Sequence, residues 1–158
     1  MAEEILIVGS KEEKYKQLIT QISALVGEEK DLISILSNVT AALKQGFSFF
    51  WVGFYLNKQN ELILGPFQGS VACFRIPFGK GVCGTAYSEK KTLLVENVDE
   101  FPGHIACSSF SKSEIVVPII KNNKVAAVLD IDSEKLADFD EIDQKYLENL
   151  CQWLSIYF

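Results

Sequence analysis

The chain has 158 residues, of which 48% are apolar, with a net charge of −6 and an isoelectric point near 4.8. A chain of this length buries about two thirds of its unfolded surface as one domain, expected over residues 1–158 with a core at about 10–155. Lysine and arginine form no cluster and no apolar run reaches membrane length, which argues against nucleic acid and membrane as partners. The N-terminal MAEEILIVGS carries two acids where a signal peptide needs positive charge, so a cytoplasmic protein is expected. In that reducing compartment its cysteines are thiols, metal ligands or transient redox partners.

Residues 11–26 place Tyr15, Leu18, Ile19, Ile22, Leu25 and Val26 at helical spacing, with Ser10 and Glu13 as a capping box and Gly27 as the stop. Residues 31–45 repeat the pattern and end at Gly46. The aromatic run 48–56, SFFWVGFYL, predicts a central strand, and Asn57-Lys58-Gln59-Asn60 turns it into a second strand at 61–65. Glycines and prolines make 66–81 a loop region with a short strand near 72–76. A short helix at 84–89 and a strand at 92–96 follow. Strands at 114–120 and 125–132 form a hairpin across Lys121-Asn122-Asn123-Lys124. A closing helix runs from about 140 to 157, with Asp138 and Glu141 as its expected capping box. Helices at both ends of a largely antiparallel sheet give an α+β fold.

The four cysteines differ in context. Cys151 sits in the last helix in apolar company and reads as a buried, inert thiol. Cys83 lies in Gly81-Val82-Cys83-Gly84, Cys73 in a glycine-flanked strand, and Cys107 mid-loop between Ala106 and Ser108. Three cysteines and a histidine are also a zinc set. Their gaps of nine and twenty-three residues lack the paired knuckle of structural sites, so no metal is expected. A redox pair needs only that two Cβ atoms meet on folding. His104, the only histidine, suits a base for Cys107 or a hydrogen-bonded structural residue equally well.

Asp130 and Asp132, two apart on a strand, share a face. If the 114–120 and 125–132 strands pair through their turn, Glu114 arrives at the same level. Three acids beside a thiol make a pocket for a cationic group such as a free amino acid's ammonium, and one of them, protonated, is a general acid. Trp51 is an apolar wall or a core residue.

Four blocks carry a resemblance to a known family: Trp51-Val-Gly-Phe-Tyr55, Gly65-Pro-Phe-Gln-Gly69 leading to Ala72-Cys73, Gly79-Lys-Gly-Val-Cys-Gly-Thr85, and Phe101-Pro-Gly-His-Ile-Ala-Cys107 running on to Ser113-Glu-Ile-Val-Val-Pro118. Together with Leu129-Asp-Ile-Asp132 they resemble the free methionine-(R)-sulfoxide reductases, which are built on a GAF domain. The resemblance implies a single GAF-like domain. It implies Cys107 as nucleophile, Cys73 as resolving thiol and Cys83 as a second or alternative partner. Glu114, Asp130 and Asp132 would bind substrate or deliver the proton, with Trp51 against the thiomethyl end. It further implies reduction of free methionine sulfoxide through a sulfenic acid and a disulfide, no tightly bound cofactor, thioredoxin or a similar dithiol as reductant, and a homodimer. Relatives commonly carry an acid directly after the nucleophile, where this chain has Ser108. The rival expectations are a non-catalytic GAF sensor of small ligands and a metal-binding interaction module.

Overall fold

A computed structural model describes residues 4–158; the first of the two N-terminal acids, Glu3, lies outside the described residues. Helix α1, Lys11–Val26, starts where Ser10 accepts the Glu13 amide while the Glu13 carboxylate accepts the Ser10 amide at 2.8 Å, a reciprocal cap. Asp31 caps α2, Leu32–Phe47, by accepting the Ser34 amide at 2.9 Å. That helix runs through Gly46 and ends at left-handed Ser48, so the expected stop comes later than the glycine suggested.

Six antiparallel strands follow: β1 Trp51–Lys58, β2 Glu61–Gln68, β3 Arg75–Ile76, β4 Leu93–Val95, β5 Ser113–Lys121 and β6 Lys124–Ser133. Their spatial order is β3-β2-β1-β6-β5-β4. Two tight turns close the hairpins, Gln59-Asn60 and Asn122-Asn123, all four residues at positive φ. Asparagine tolerates that conformation, and paired positive φ matches the strand twist.

Three boundaries depart from expectation for local reasons. β1 begins at Trp51, because the Phe49 and Phe50 carbonyls turn aside to accept the Lys44 ammonium. β2 continues beyond Gly65 to Gln68, with Pro66 falling at the register shift opposite Phe54. A proline there removes no ladder hydrogen bond. The expected strand at 72–76 contracts to Arg75–Ile76.

Helix α3, Gly81–Glu89, starts three residues before the expected 84. A Cβ on Gly84 would lie 2.4 Å from the Pro77 carbonyl oxygen, so only glycine lets α3 settle on that turn. The last helix, α4 Glu141–Leu154, is capped by Asp140 with Asp143, not by Asp138 with Glu141. Asp138 is taken up by the Ser133 hydroxyl, which leaves the cap to the next acid along. A single 3-10 turn, Ser155–Tyr157, finishes the stretch expected to be helical.

The sheet separates two apolar layers. On one face Val52, Phe54, Leu56, Ile115, Val117, Leu129 and Ile131 bury against α1, α2 and α4. On the other, Trp51, Tyr55, Val116 and Val128 meet α3 and the loops before β5. Side chains alternate along each strand, so residue parity decides which layer each one joins.

Candidate active site

Register fixes the acids. Trp51 pairs with Asp132 and Asp132 with Glu114, a straight row across three strands, while Asp130 pairs with Gly53 on one side and Val116 on the other. All of them take the parity of the α3 face. The expected approach of Glu114 to the two aspartates is what the β5–β6 hairpin produces. Gly53 is needed at its place: a Cβ there would lie 2.5 Å from both the Trp51 ring and Phe67. Trp51 stacks on Phe67 at 5.4 Å and donates its indole N–H to the Ser70 carbonyl at 3.0 Å.

Trp51, Glu114, Asp130 and Asp132 line a cleft that also takes in Cys83, His104 and Cys107 and includes no lysine or arginine. A cleft with aromatic and apolar walls and a few converging carboxyls suits a small polar molecule. Cys73 and Cys107 are joined by a disulfide, their Cα atoms 5.6 Å apart. Cys107 is exposed and Cys73 half-buried, so the bond lies within reach from outside. Tyr55 donates its hydroxyl to the Cys73 carbonyl at 3.0 Å and tethers that segment to the sheet.

Cys83 is placed differently. It sits in the first turn of α3 as a buried free thiol, its Sγ 3.9 Å from Glu114 Oε1. Burial, then the charges of Asp130, Glu114 and Asp132, push its pKa well above the ordinary thiol value. Cys151 is free and buried on the opposite face, where burial also raises its pKa.

The acids share one low-dielectric space. Burial first, and then Asp130 and Asp132, push Glu114 well above the usual carboxyl range. Asp132 is raised by burial and by Asp130, against a hydrogen bond from Ser111. Asp130 is raised by burial to about 6, with the adjacent Glu114 and Cys83 pulling the other way. Its Oδ1 is buried with no hydrogen-bond partner. His104 lies 3.9 Å from Glu114, and burial lowers its pKa, favouring the neutral ring. Such a cluster can donate protons, and it can receive a cation that supplies the missing partner.

The structure therefore gathers Trp51, Cys83, Glu114, Asp130 and Asp132 around one cleft and links Cys73 to Cys107 at its edge. Tyr55 and Ser111 belong to the same cleft and were missed in the sequence. Tyr55 shares strand parity with Trp51, a signal that was available; Ser111, in an irregular loop, carries none. Ser108, in place of the acid common in relatives, lines the cleft and accepts the Phe110 amide at 3.2 Å.

Comparison with known proteins finds relatives along nearly the whole chain. The family model of the GAF domain matches residues 29–157. GAF domain-containing protein A of Dictyostelium discoideum is 58% identical over 98% of this chain and 99% of its own length. The free methionine-R-sulfoxide reductase of Saccharomyces cerevisiae is 43% identical over 92% of this chain and 86% of its own. Among solved structures, the free methionine-R-sulfoxide reductase of Neisseria meningitidis in complex with its substrate superposes with a TM-score of 0.97 at 47% identity, covering 100% of this chain and 96% of that one.

Proposed function

This chain belongs to the GAF-domain family and, within it, to the free methionine-R-sulfoxide reductases, and from that premise we propose that it reduces free L-methionine-(R)-sulfoxide through Cys107. The observation that carries this reading is the accessible Cys73–Cys107 disulfide at the edge of a cleft floored by three carboxyls.

The substrate ammonium takes the place opposite the carboxyls, and the thiomethyl group lies against Trp51. The Cys107 thiolate attacks the sulfoxide sulfur while Glu114, or one of the aspartates, gives its proton to the sulfoxide oxygen. The oxygen ends on Cys107 as a sulfenic acid, and methionine leaves with its sulfur reduced by two electrons. The Cys73 thiol then displaces water from the sulfenic acid, forming the disulfide. A dithiol such as thioredoxin attacks that bond, leaves oxidised, and restores both thiols. The free, buried state of Cys83 favours Cys73 as the resolving partner.

The raised carboxyl pKa values bear on a difficulty, since ionised acids nearby hold a thiol protonated. A cluster that keeps protons carries less charge, and the arriving ammonium offsets what remains. We further infer a homodimer, from the family resemblance.

The test is methionine release from the free R-sulfoxide with dithiothreitol, by wild type and Cys107→Ser in parallel. Turnover confined to wild type is expected; turnover surviving in the variant would move the nucleophile elsewhere. Wild-type inactivity would favour the sensor reading. Blocking the amine removes the group the acids receive, so N-acetylated substrate is expected to react about 10⁴-fold less efficiently. Equal turnover of the two substrates would refute the carboxyl cluster as the ammonium site.

A further inference from the structure

We propose that Cys83, Glu114 and Asp130 form a site for a thiophilic divalent cation of the zinc type, built into the floor of the cleft. The three residues lie far apart in sequence and on three different elements, α3, β5 and β6, yet one ligand atom from each falls within 4.8 Å of the other two. A tetrahedral zinc centre with bonds of about 2.0–2.3 Å separates its ligand atoms by roughly 3.3–3.8 Å. Metal binding would draw the three ligand atoms together by that difference.

A second observation stands apart from the clustering. Asp130 is only 6% exposed, yet its Oδ1 has no partner. A buried carboxylate oxygen without a donor is costly, and Asp130 lines the same cleft as Cys83 and Glu114. No lysine or arginine nitrogen lies within 4.0 Å of any of the three among the described residues, so no internal cation competes for the position.

The donor set selects the metal. One sulfur and two carboxylates suit a borderline cation such as Zn²⁺ or Co²⁺, whereas Mg²⁺ and Ca²⁺ avoid thiolate. Binding releases the Cys83 proton and any carboxyl proton to solvent. A solvent molecule completes the four-coordinate set, as in zinc sites with three protein ligands.

The cation and the substrate ammonium are alternative occupants of Glu114 and Asp130, so the metal-bound form is an inhibited one; because the site needs neither Cys73 nor Cys107, its test stays separate from the reductase reading. The reduced Cys73→Ser/Cys107→Ser protein, with Cys83 and Cys151 as its remaining thiols, is titrated with Co²⁺ alone. A thiolate-to-cobalt charge-transfer band saturating at one equivalent is expected, and one equivalent of Zn²⁺ should abolish it. Adding Cys83→Ser should remove the band. Adding Asp130→Asn instead should weaken Co²⁺ binding at least about tenfold, which keeps the test decisive if the Cys83 variant fails to fold. Absence of the band at saturating Co²⁺, a band that survives Cys83→Ser, or unchanged affinity in Asp130→Asn would overturn the proposal.

Discussion

Two aspartates lie buried on opposite sides of the same sheet and end up in opposite circumstances. Asp143, on the helix side, is 1% exposed and accepts from the Lys11 ammonium at 2.7 Å, the Tyr15 hydroxyl at 2.6 Å and the Asp140 amide at 2.8 Å. Those bonds tie α1 to α4 across 132 positions of chain. Asp130, on the cleft side, has two acids and a thiol for neighbours and an oxygen with no partner. The first carboxylate is saturated by its own fold. The second is left for something that arrives from outside. A buried acid thus marks structure or function according to whether its hydrogen bonds close internally.

The sharpest way to break this contrast is to neutralise each side in turn. Glu114→Gln keeps shape while removing the transferable proton, so turnover of free sulfoxide should fall by about 10²–10⁴-fold. Its unfolding free energy at neutral pH should stay level or rise, because an amide cannot ionise among the neighbouring acids. Chemical denaturation beside the kinetic assay checks both, and a variant that lost stability and activity together would make Glu114 structural.

Asp143→Ala should do the reverse. It leaves Lys11 and Tyr15 without their acceptor and costs about 3–5 kcal/mol, a drop in Tm of roughly 10 °C for a chain of this size. Residual folded protein should turn over sulfoxide normally. A loss under about 1 kcal/mol would mean that water replaces the carboxylate.

The pH dependence offers a subtler distinction. An acid whose folded pKa exceeds its unfolded value binds its proton more tightly when folded, so its contribution to stability is present below the unfolded pKa and lost as pH rises through the folded one. For Asp130 that window runs from about 4 to about 6. Asp130→Asn should therefore gain about 2–3 kcal/mol relative to wild type between those limits. Parallel unfolding curves at the two pH values would contradict the raised pKa.

The smallest effect belongs to the N-terminal strap. The Gln21 side-chain amide both accepts from and donates to the Leu6 backbone, at 3.1 and 2.8 Å, and Gln17 does the same for Val8 at 3.1 and 2.8 Å. Gln21→Ala should cost about 0.5–1.5 kcal/mol for exposed bonds that water partly replaces, with turnover unchanged. Faster amide exchange confined to residues 5–8 is the expected signature.

Much of this contrast was legible before folding. Helical spacing marked the three long helices, the paired turn residues marked both hairpins, and period-2 counting placed Glu114 beside Asp130 and Asp132. What escaped depends on competition between neighbours. The α4 cap moved from Asp138 to Asp140 because Ser133 claims Asp138, a contact between a strand end and a loop that no local pattern announces. The gathering of Cys83 with Glu114 and Asp130 needs α3 to settle on the turn at Pro77, which Gly84 permits but does not advertise. Asp143 drew no notice because its partners, Lys11 and Tyr15, lie at the other end of the chain.

The alternation along β5 and β6 has a consequence for how the sequence can change. Even-numbered positions spell the cleft, Glu114, Asp130 and Asp132, and the odd-numbered residues between them spell the greasy seam beneath the helices, Ile115, Val117, Leu129 and Ile131. The two messages are interleaved letter by letter, so inserting or deleting one residue inside either strand exchanges them from that point on. Acids would then be driven into the oily layer and isoleucines into the cleft. These strands can drift by substitution but not by length, whereas the 101–112 loop, which holds Cys107, is free of that reading frame.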